Sequence, residues 1–251
     1  MGSSVFAAAL DFWTKNSGQF FTRWLHVIVG VAWIGLLYFF NFVQVPAFAE
    51  MDPAARNNAM DKLSWRALWW FRWAAVATVV TGFLLFYFTD DYKTEFMKTR
   101  PGISISVGIL LGLTMFLNVW GVIWRKQKIV IANARTVQAG GEPDPAAADA
   151  GRRGLMASRM NAIFSIPMLL FMVGTAHFPY TAQLEPSGGK RATFWAVFLI
   201  VWLLFELNAL GVLGGTKPGG PRIIYDTHRN AIITGFVYAI FSLLLFAYVL
   251  S

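Results

Sequence analysis

Six stretches of mostly apolar residues alternate with polar connections along this chain of 251 residues. Each stretch is about 20 residues long, which is the length a helix needs to cross the hydrocarbon core of a bilayer. Because that core offers backbone groups no hydrogen-bond partner, such segments cross it as helices. The pattern therefore predicts an all-α fold, an integral membrane bundle of six transmembrane helices in a single membrane domain, residues 1–251. The predicted spans cover residues 24–44, 67–89, 102–124, 160–180, 193–213 and 230–250.

The connections between the predicted spans differ in character. Residues 1–23 mix apolar with polar and small side chains and are predicted to form an interfacial N-terminal segment. Residues 46–66 carry several charges and are predicted to form a surface helix. Residues 125–158 form the longest polar stretch, predicted to be a cytoplasmic linker. Its Gly-, Pro-, Ala- and Asp-rich run at 139–150 predicts flexibility.

The charges support the membrane assignment and orient the bundle. Only 14% of the residues are charged, against about 25% in soluble domains. With six spans, thirteen Lys and Arg residues fall on the side that holds residues 46–66 and 125–158, and seven fall on the other side. Positive charge concentrates on the cytoplasmic side of membrane proteins. We therefore expect both termini on the outer, periplasmic side, and the net charge of +8 reflects topology rather than a nucleic-acid partner.

The chain contains three His residues and no Cys. The absence of Cys excludes thiolate metal sites, iron–sulfur clusters and covalently attached c-type haem within this sequence. His26 opens the first predicted span and His177 closes the fourth, so both lie toward the predicted outer side. His228 precedes the sixth span and lies on the cytoplasmic side.

Each of the two outer His residues has a Gly one turn deeper on the same helix face. Gly30 follows His26 by four residues, and Gly174 precedes His177 by three. Bis-imidazole ligation of a b-type haem requires two facing imidazoles with flat space beside them. His26 and His177 are therefore predicted to ligate haem iron, with Gly30 and Gly174 making room for the cofactor. Alternatively, the His residues anchor helix ends at the interface, and the Gly residues permit close helix packing.

A second group of polar residues lies in the cytoplasmic third of the predicted bundle. Ionisable residues within a span are costly and are functional candidates by default. Arg72 and Glu206 lie at similar depth and are predicted to form an ion pair. Asn118 and Asn161 fall in the same layer, and His228 lies near its rim. Either Arg72, Glu206 and His228 form a catalytic pocket for a planar or anionic ligand or a quinone head, or the network only stabilises the bundle.

Three further patterns bear on packing. Trp65, Trp69, Trp70 and Trp73 cluster at the cytoplasmic end of the second span, which is typical of an interfacial aromatic belt. Residues 108–112 (GILLG) match the GxxxG pattern that favours close helix packing or dimerisation. Pro167 lies within the fourth span and is predicted to free a backbone carbonyl and kink the helix.

Four segments resemble a known family in order along nearly the whole chain. They are WLHVIVGVAWIG at 24–35, LWWFRWAAVATVVTGFLLF at 68–86, SIPMLLFMVGTAHFPY at 165–180 and YDTHRNAI at 225–232. They resemble the membrane domain of membrane-bound bacterial urate hydroxylases, the urate oxidase N-terminal domain family. The resemblance implies a bacterial inner-membrane protein whose family activity is hydroxylation of urate, with electrons passed to a cytochrome c domain outside the membrane.

The sequence departs from the family pattern at positions that matter for activity. His26, His177, His228 and the basic residue Arg72 fit the pattern, but Trp69 and Ala74 stand where the family tends to have His and Glu. The polar residues after the family's first-helix motif are here the mostly apolar LLYFFNFVQVP. The sequence ends at Ser251 after the sixth span and carries no CxxCH motif. We therefore expect the electron acceptor to be a separate periplasmic cytochrome c or a quinone.

Two hypotheses follow from these observations. The first is a membrane redox protein that binds haem b between His26 and His177 and exchanges electrons with a cytochrome c or quinone. The second is a non-catalytic accessory subunit of a larger respiratory or photosynthetic membrane complex, which the lost His and Glu positions favour. A urate hydroxylase served by a separately encoded cytochrome is a third possibility.

Overall fold

The computed structural model describes residues 15–89, 93–179 and 185–251, and six long helices account for most of them. In α1, α2 and α3 a short π-helical segment separates two α-helical parts. A short helix, Thr94–Met97, lies between α2 and α3, and a 3₁₀ turn, Gly220–Tyr225, precedes α6. The long helices are α1 (Lys15–Tyr38, Phe39–Gln44 and Val45–Glu50), α2 (Pro53–Ala59, Met60–Ser64 and Trp65–Phe88), α3 (Arg100–Asn118, Val119–Ile123 and Trp124–Gln138), α4 (Ala147–His177), α5 (Gly188–Ala209) and α6 (His228–Val249).

All six helices are long and apolar enough to cross a membrane. The predicted number of spans is therefore confirmed for the described part of the chain, and each predicted span overlaps one of the helices. The helices extend beyond the apolar stretches mainly on the side where Lys and Arg are concentrated. Residues 46–66 are largely helical, as predicted, but they form the end of α1 and the beginning of α2, separated by a break at residues 51–52.

The predicted linker at 125–158 is mostly helical. The second part of α3 continues to Gln138 and α4 begins at Ala147, so only residues 139–146 connect the two helices. The physical reason is that residues 124–138 contain good helix formers, and Ile131 and Ala134 are buried. The predicted interfacial segment 1–23 is described only from Lys15, where the chain already belongs to α1; residues 1–14 lie outside the described residues.

Helix α4 lies at the centre of the bundle, since 67% of its most apolar window is buried, more than in any other candidate span. Polar contacts join it to its neighbours. Tyr38 Oη on α1 lies 2.9 Å from Ser165 Oγ on α4. Ser104 Oγ on α3 donates to the Phe171 carbonyl at 2.8 Å. These bonds satisfy side chains that would otherwise be unpaired in an apolar interior.

The side chain of Asn41 hydrogen-bonds to a backbone carbonyl where α1 changes from α-helical to π-helical geometry. Asn41 lies within the π-helical segment, and its Nδ2 donates to the Leu37 carbonyl at 2.8 Å. The same nitrogen donates to Ser158 Oγ at 2.8 Å, which ties this turn to α4. π-helical turns are rare and often occur at functional sites. Here the turn brings a buried amide to the α1–α4 contact.

Only one glycine of the GxxxG match packs closely. A Cβ at Gly108 would lie 2.9 Å from Met172 Cγ, so α3 approaches α4 there, whereas a Cβ at Gly112 would meet nothing within 4 Å. Pro167 lacks the N–H that would bind the Ile163 carbonyl. A Cβ at Gly235 would lie 3.2 Å from that oxygen. The glycine thus lets α6 approach α4 at the carbonyl that the proline frees.

Candidate functional site

His26 lies between α1 and α2, where threonine hydroxyls of α2 face it. Its Nδ1 is 3.0 Å from Thr81 Oγ1. Thr81 Oγ1 lies 2.7 Å from the Ala77 carbonyl, which can only accept, so the single hydroxyl proton points to that carbonyl. We therefore infer that Nδ1 carries the imidazole proton and donates it to Thr81. This arrangement leaves the lone pair of Nε2 for another partner, which is the state of a metal-ligating histidine.

Small residues allow α1 to approach α2 at this level. A Cβ at Gly82 would lie 3.1 Å from His26 Cε1, so the imidazole edge rests against this glycine. A Cβ at Gly30 would lie 4.0 Å from Thr78 Cγ2, so Gly30 faces α2. The sequence pattern does not single out Thr81 or Gly82. Their adjacency in VVTGF is a signal for a small polar surface, but nothing in the sequence pairs it with His26.

His177 is the last residue of α4, and its side chain is exposed. The face of Gly174 is covered by the Phe178 ring, since a Cβ at Gly174 would lie 2.3 Å from Phe178 Cε2. The structure thus fills the space at Gly174 with an aromatic side chain of the same chain. The flat opening that its spacing predicted is absent from this conformation.

The two outer His residues lie at similar depth. Helices α1 and α4 are antiparallel, because Tyr38 contacts Ser165 while Asn41 contacts Ser158. His26 precedes Tyr38 by twelve residues, and His177 follows Ser165 by twelve. At 1.5 Å rise per residue, both lie about 18 Å along their helices from the Tyr38–Ser165 contact.

Three buried side chains form a polar network between α3, α4 and α5. Asn118 Nδ2 donates to Asn161 Oδ1 at 3.0 Å and to Glu206 Oε2 at 3.2 Å. Asn161 Nδ2 donates to the Met115 carbonyl at 2.9 Å. Glu206 is only 9% exposed, and among the described residues it has no cation within ion-pair distance. The layer predicted from Asn118, Asn161 and Glu206 is therefore present.

A tyrosine from the 3₁₀ turn lies next to this network. Tyr225 is buried, and its hydroxyl donates to the Phe205 carbonyl at 3.2 Å. Burial, and next the nearby Glu206, raise the pKa of Tyr225 above its ordinary value, so the phenol stays protonated. Its own carbonyl accepts from Arg159 Nη1. The sequence pattern does not place Tyr225 in this layer, because the turn lies outside every apolar stretch.

Arg72 does not pair with Glu206. Its guanidinium lies 3.8 Å from the centroid of the Trp124 ring and 5.7 Å from that of Trp120, so it stacks on α3. Among the ion pairs of the described residues, none contains Arg72. The ion pair expected from depth alone is therefore wrong. Depth along a helix does not specify the side on which a residue lies, and Arg72 faces the aromatic surface of α3.

His228 is the first residue of α6, directly after the cap in which Thr227 Oγ1 accepts from the Asn230 amide. Helix α6 therefore begins two residues before the predicted span at 230–250. Asp226 binds Arg152 Nη2 at 2.8 Å and the Gly219 amide at 2.9 Å. Asp226, two residues before His228, therefore links the segment before α6 to Arg152 on α4.

A surface cleft of about 320 Å³ lies apart from the predicted site residues. The beginning of α2, the second part of α3 and the beginning of α4 enclose it. Its polar lining comes from Arg56, Asn57, Asn133 and Asp144.

The helices and the buried polar network define a helical protein with the features of a multi-pass membrane protein. Residues 92–205 match the family model described as urate oxidase N-terminal. The family resemblance is thereby confirmed for α3, α4 and most of α5. No curated protein and no solved structure matches the chain. The matched range contains His177, Asn118 and Asn161 and ends one residue before Glu206.

Proposed function

We propose that the chain is a membrane redox protein in which His26 would hold a b-type haem near its predicted periplasmic side. The observation that carries the proposal is the hydrogen bond between His26 Nδ1 and Thr81 Oγ1. Because Thr81 Oγ1 also donates to the Ala77 carbonyl, we take Nδ1 as the donor to Thr81, which leaves the Nε2 lone pair available. A hydrogen bond from the second ring nitrogen is the usual support of a metal-ligating His. His26 therefore fits the requirements of a ligand.

We propose that His177 would hold the same haem together with His26. Its similar depth supports this assignment, and so does its exposed side chain at the end of α4. Trp33 supports a haem beside α1. It follows His26 by two turns on the same face of that helix, and its Nε1 is buried without a hydrogen-bond partner among the described residues. The Phe178 ring covers Gly174, so Gly30 and Gly174 have packing roles in this proposal.

When bound, haem would supply one-electron transfer. Thr81 would orient His26, and the partner would be a separate periplasmic cytochrome c or a quinone. The network of Glu206, Asn118 and Asn161 is the proposed substrate site, with His228 at its rim. The bacterial inner membrane is the proposed location, because the family named by the match and the Lys and Arg distribution both favour it.

Optical spectra of the purified protein test the haem proposal. The reduced-minus-oxidised spectrum of the wild type is expected to show the α-band of a b-type haem, and His26→Ala and His177→Ala are expected to abolish or shift it. His228→Ala is the matched control, since it removes the third His at the far end of the bundle. Absence of the band from the wild type would refute haem binding. A band unchanged in His26→Ala would refute the ligand assignment.

The alternative function is that of an accessory subunit in a larger membrane complex. Its support is the aromatic face of α2, where Trp69, Trp70 and Trp73 are 47%, 64% and 45% exposed. Large exposed aromatic groups occur at interfaces between proteins as well as at the membrane boundary. Blue native electrophoresis of native membranes distinguishes the two functions. Co-migration with a respiratory or photosynthetic complex, together with a spectrum that lacks haem, would favour the accessory role.

A further inference from the structure

We propose that α2 and α3 form a binding site for the headgroup of an anionic phospholipid, at Arg72, Lys128 and the indole of Trp124. This site is separate from the His residues of the haem proposal, and neither proposal depends on the other. It lies where the Trp-rich part of α2 faces α3, beside Trp65, Trp69, Trp70, Trp73 and Trp120.

Two cations contact the same indole. The guanidinium of Arg72 lies 3.8 Å from the centroid of the Trp124 ring, and Lys128 Nζ lies 5.5 Å from it. An indole face attracts cations through its quadrupole. It does not neutralise them, and two like charges on one ring repel each other. An anionic group bound between them would remove that repulsion.

Neither cation has a carboxylate partner in the part of the chain that the structure describes. Among the described residues, no Asp or Glu lies within 4 Å of Arg72 or Lys128. Arg72 Nε is also buried without a hydrogen-bond partner. A buried donor without an acceptor is costly. The phosphate of a lipid would accept from the guanidinium and balance both charges.

A neighbouring cation on the same surface shows the contrast. Arg135 lies over Trp65, and the Trp65 ring lies 5.2 Å from that of Trp124. Arg135 Nε contacts Asp61 Oδ1, and the same carboxylate pairs with Lys62 at 2.6 Å. Arg135 thus has an acidic partner on this aromatic surface, whereas Arg72 and Lys128 have none among the described residues. A bound lipid phosphate would supply an anion to these two cations.

The surroundings favour a lipid over a soluble anion. Trp69, Trp70 and Trp73 are exposed along the adjoining face of α2, and Trp73 packs against Trp120. Exposed Trp residues at the end of an apolar helix mark the level of lipid headgroups. Basic pockets between membrane helices at this level bind acidic headgroups.

Lipid retention measured by native mass spectrometry tests the site. The full chain, delipidated in detergent, is titrated with phosphatidylglycerol or with phosphatidylcholine of the same acyl chains. The wild type is expected to retain phosphatidylglycerol preferentially. Because each basic residue near the headgroup contributes a factor of about five, Arg72→Gln and Lys128→Gln are each expected to weaken retention about fivefold. Arg229→Gln on α6 is the matched control and is expected to retain lipid as the wild type does.

Each alternative result overturns the proposal. Equal retention of both lipids, or equal loss in the Arg229→Gln control, would show that the binding is not specific to Arg72 and Lys128. Displacement of phosphatidylglycerol by millimolar inorganic phosphate would identify a site for free anions instead. Circular dichroism of each variant verifies that it is folded. If Arg72→Gln fails to fold, Lys128→Gln and Trp124→Phe measure the same contact, and both are expected to lose lipid.

Discussion

The hydroxyl of Thr81 donates to the Ala77 carbonyl and lies 3.0 Å from His26 Nδ1, so one side chain of α2 is placed to set the proton position of an imidazole on α1. At the scale of the residue, the chemistry of a side chain depends on the groups that hydrogen-bond to it. Asn118 has the same role for Glu206, since it is the donor that the buried carboxyl binds. His26 and Thr81 are 55 positions apart in the sequence, and Asn118 and Glu206 are 88 positions apart. The sequence alone therefore does not reveal that the members of each pair are in contact.

Thr81→Val is expected to weaken haem retention because valine has the same shape but cannot accept the proton of Nδ1. Loss of a contact of this kind typically lowers metal affinity about 10- to 100-fold. Haem content per chain and the position of the α-band measure the effect. Thr81→Ser keeps the hydroxyl and is expected to restore retention. A Thr81→Val protein with wild-type haem content would contradict the orienting role.

Asn118→Leu is expected to lower the free energy of unfolding by about 1–3 kcal/mol, since it leaves buried oxygens of Asn161 and Glu206 without their donor. Leucine preserves the volume, so the change reports hydrogen bonds rather than a cavity. The measurement is thermal unfolding in detergent. Asn58→Leu, at an exposed position of α2, is the control and should have little effect. Equal behaviour of the two variants would argue against the network.

At the scale of the element, helix packing depends on the positions at which the backbones of two neighbouring helices can approach each other closely. Pro167 removes the partner of the Ile163 carbonyl, and Gly235 on α6 comes close to that oxygen. The GxxxG match on α3 is used only at Gly108, against Met172. The sequence shows which residues are small, but helix rotation decides which of them face a neighbour.

Gly235→Ala is expected to destabilise the bundle by about 1–3 kcal/mol, because the added Cβ would force α4 and α6 apart. Gly112→Ala is the matched control on α3, where the Cβ meets nothing within 4 Å. That change is expected to be neutral or to stabilise the helix by up to about 1 kcal/mol, because alanine favours helix more than glycine does. Thermal midpoints of both variants in detergent provide the comparison, and a neutral Gly235→Ala would contradict the close contact.

At the scale of the whole molecule, the excess of Lys and Arg on one side predicts the orientation. The absence of Cys makes this prediction directly testable, since a single introduced Cys has no background. Glu95 lies in the connection between α2 and α3, and Glu142 lies between α3 and α4; both are exposed. The two positions fall on opposite sides of the predicted membrane.

Labelling with a membrane-impermeant maleimide checks the orientation. In intact cells Glu95→Cys is expected to be labelled, whereas Glu142→Cys is expected to be labelled only after the membrane is permeabilised. The reverse pattern would invert the topology and place His26 and His177 toward the cytoplasm. Positive charges near span ends resist translocation, which is the physical basis of the expectation.

The sequence by itself determined the six apolar spans and their order, because length and apolar composition decide whether a segment can cross a bilayer. How far the helices continue beyond those spans came only from the structure. It also identified Glu206, Asn118 and Asn161 as members of one polar layer, since depth along a helix follows from residue number. Only the tertiary structure decided the partners. It paired His26 with Thr81, separated Arg72 from Glu206, and filled the face of Gly174 with Phe178. Rotation about the helix axis determines those contacts, and it depends on the packing of all neighbouring helices at once.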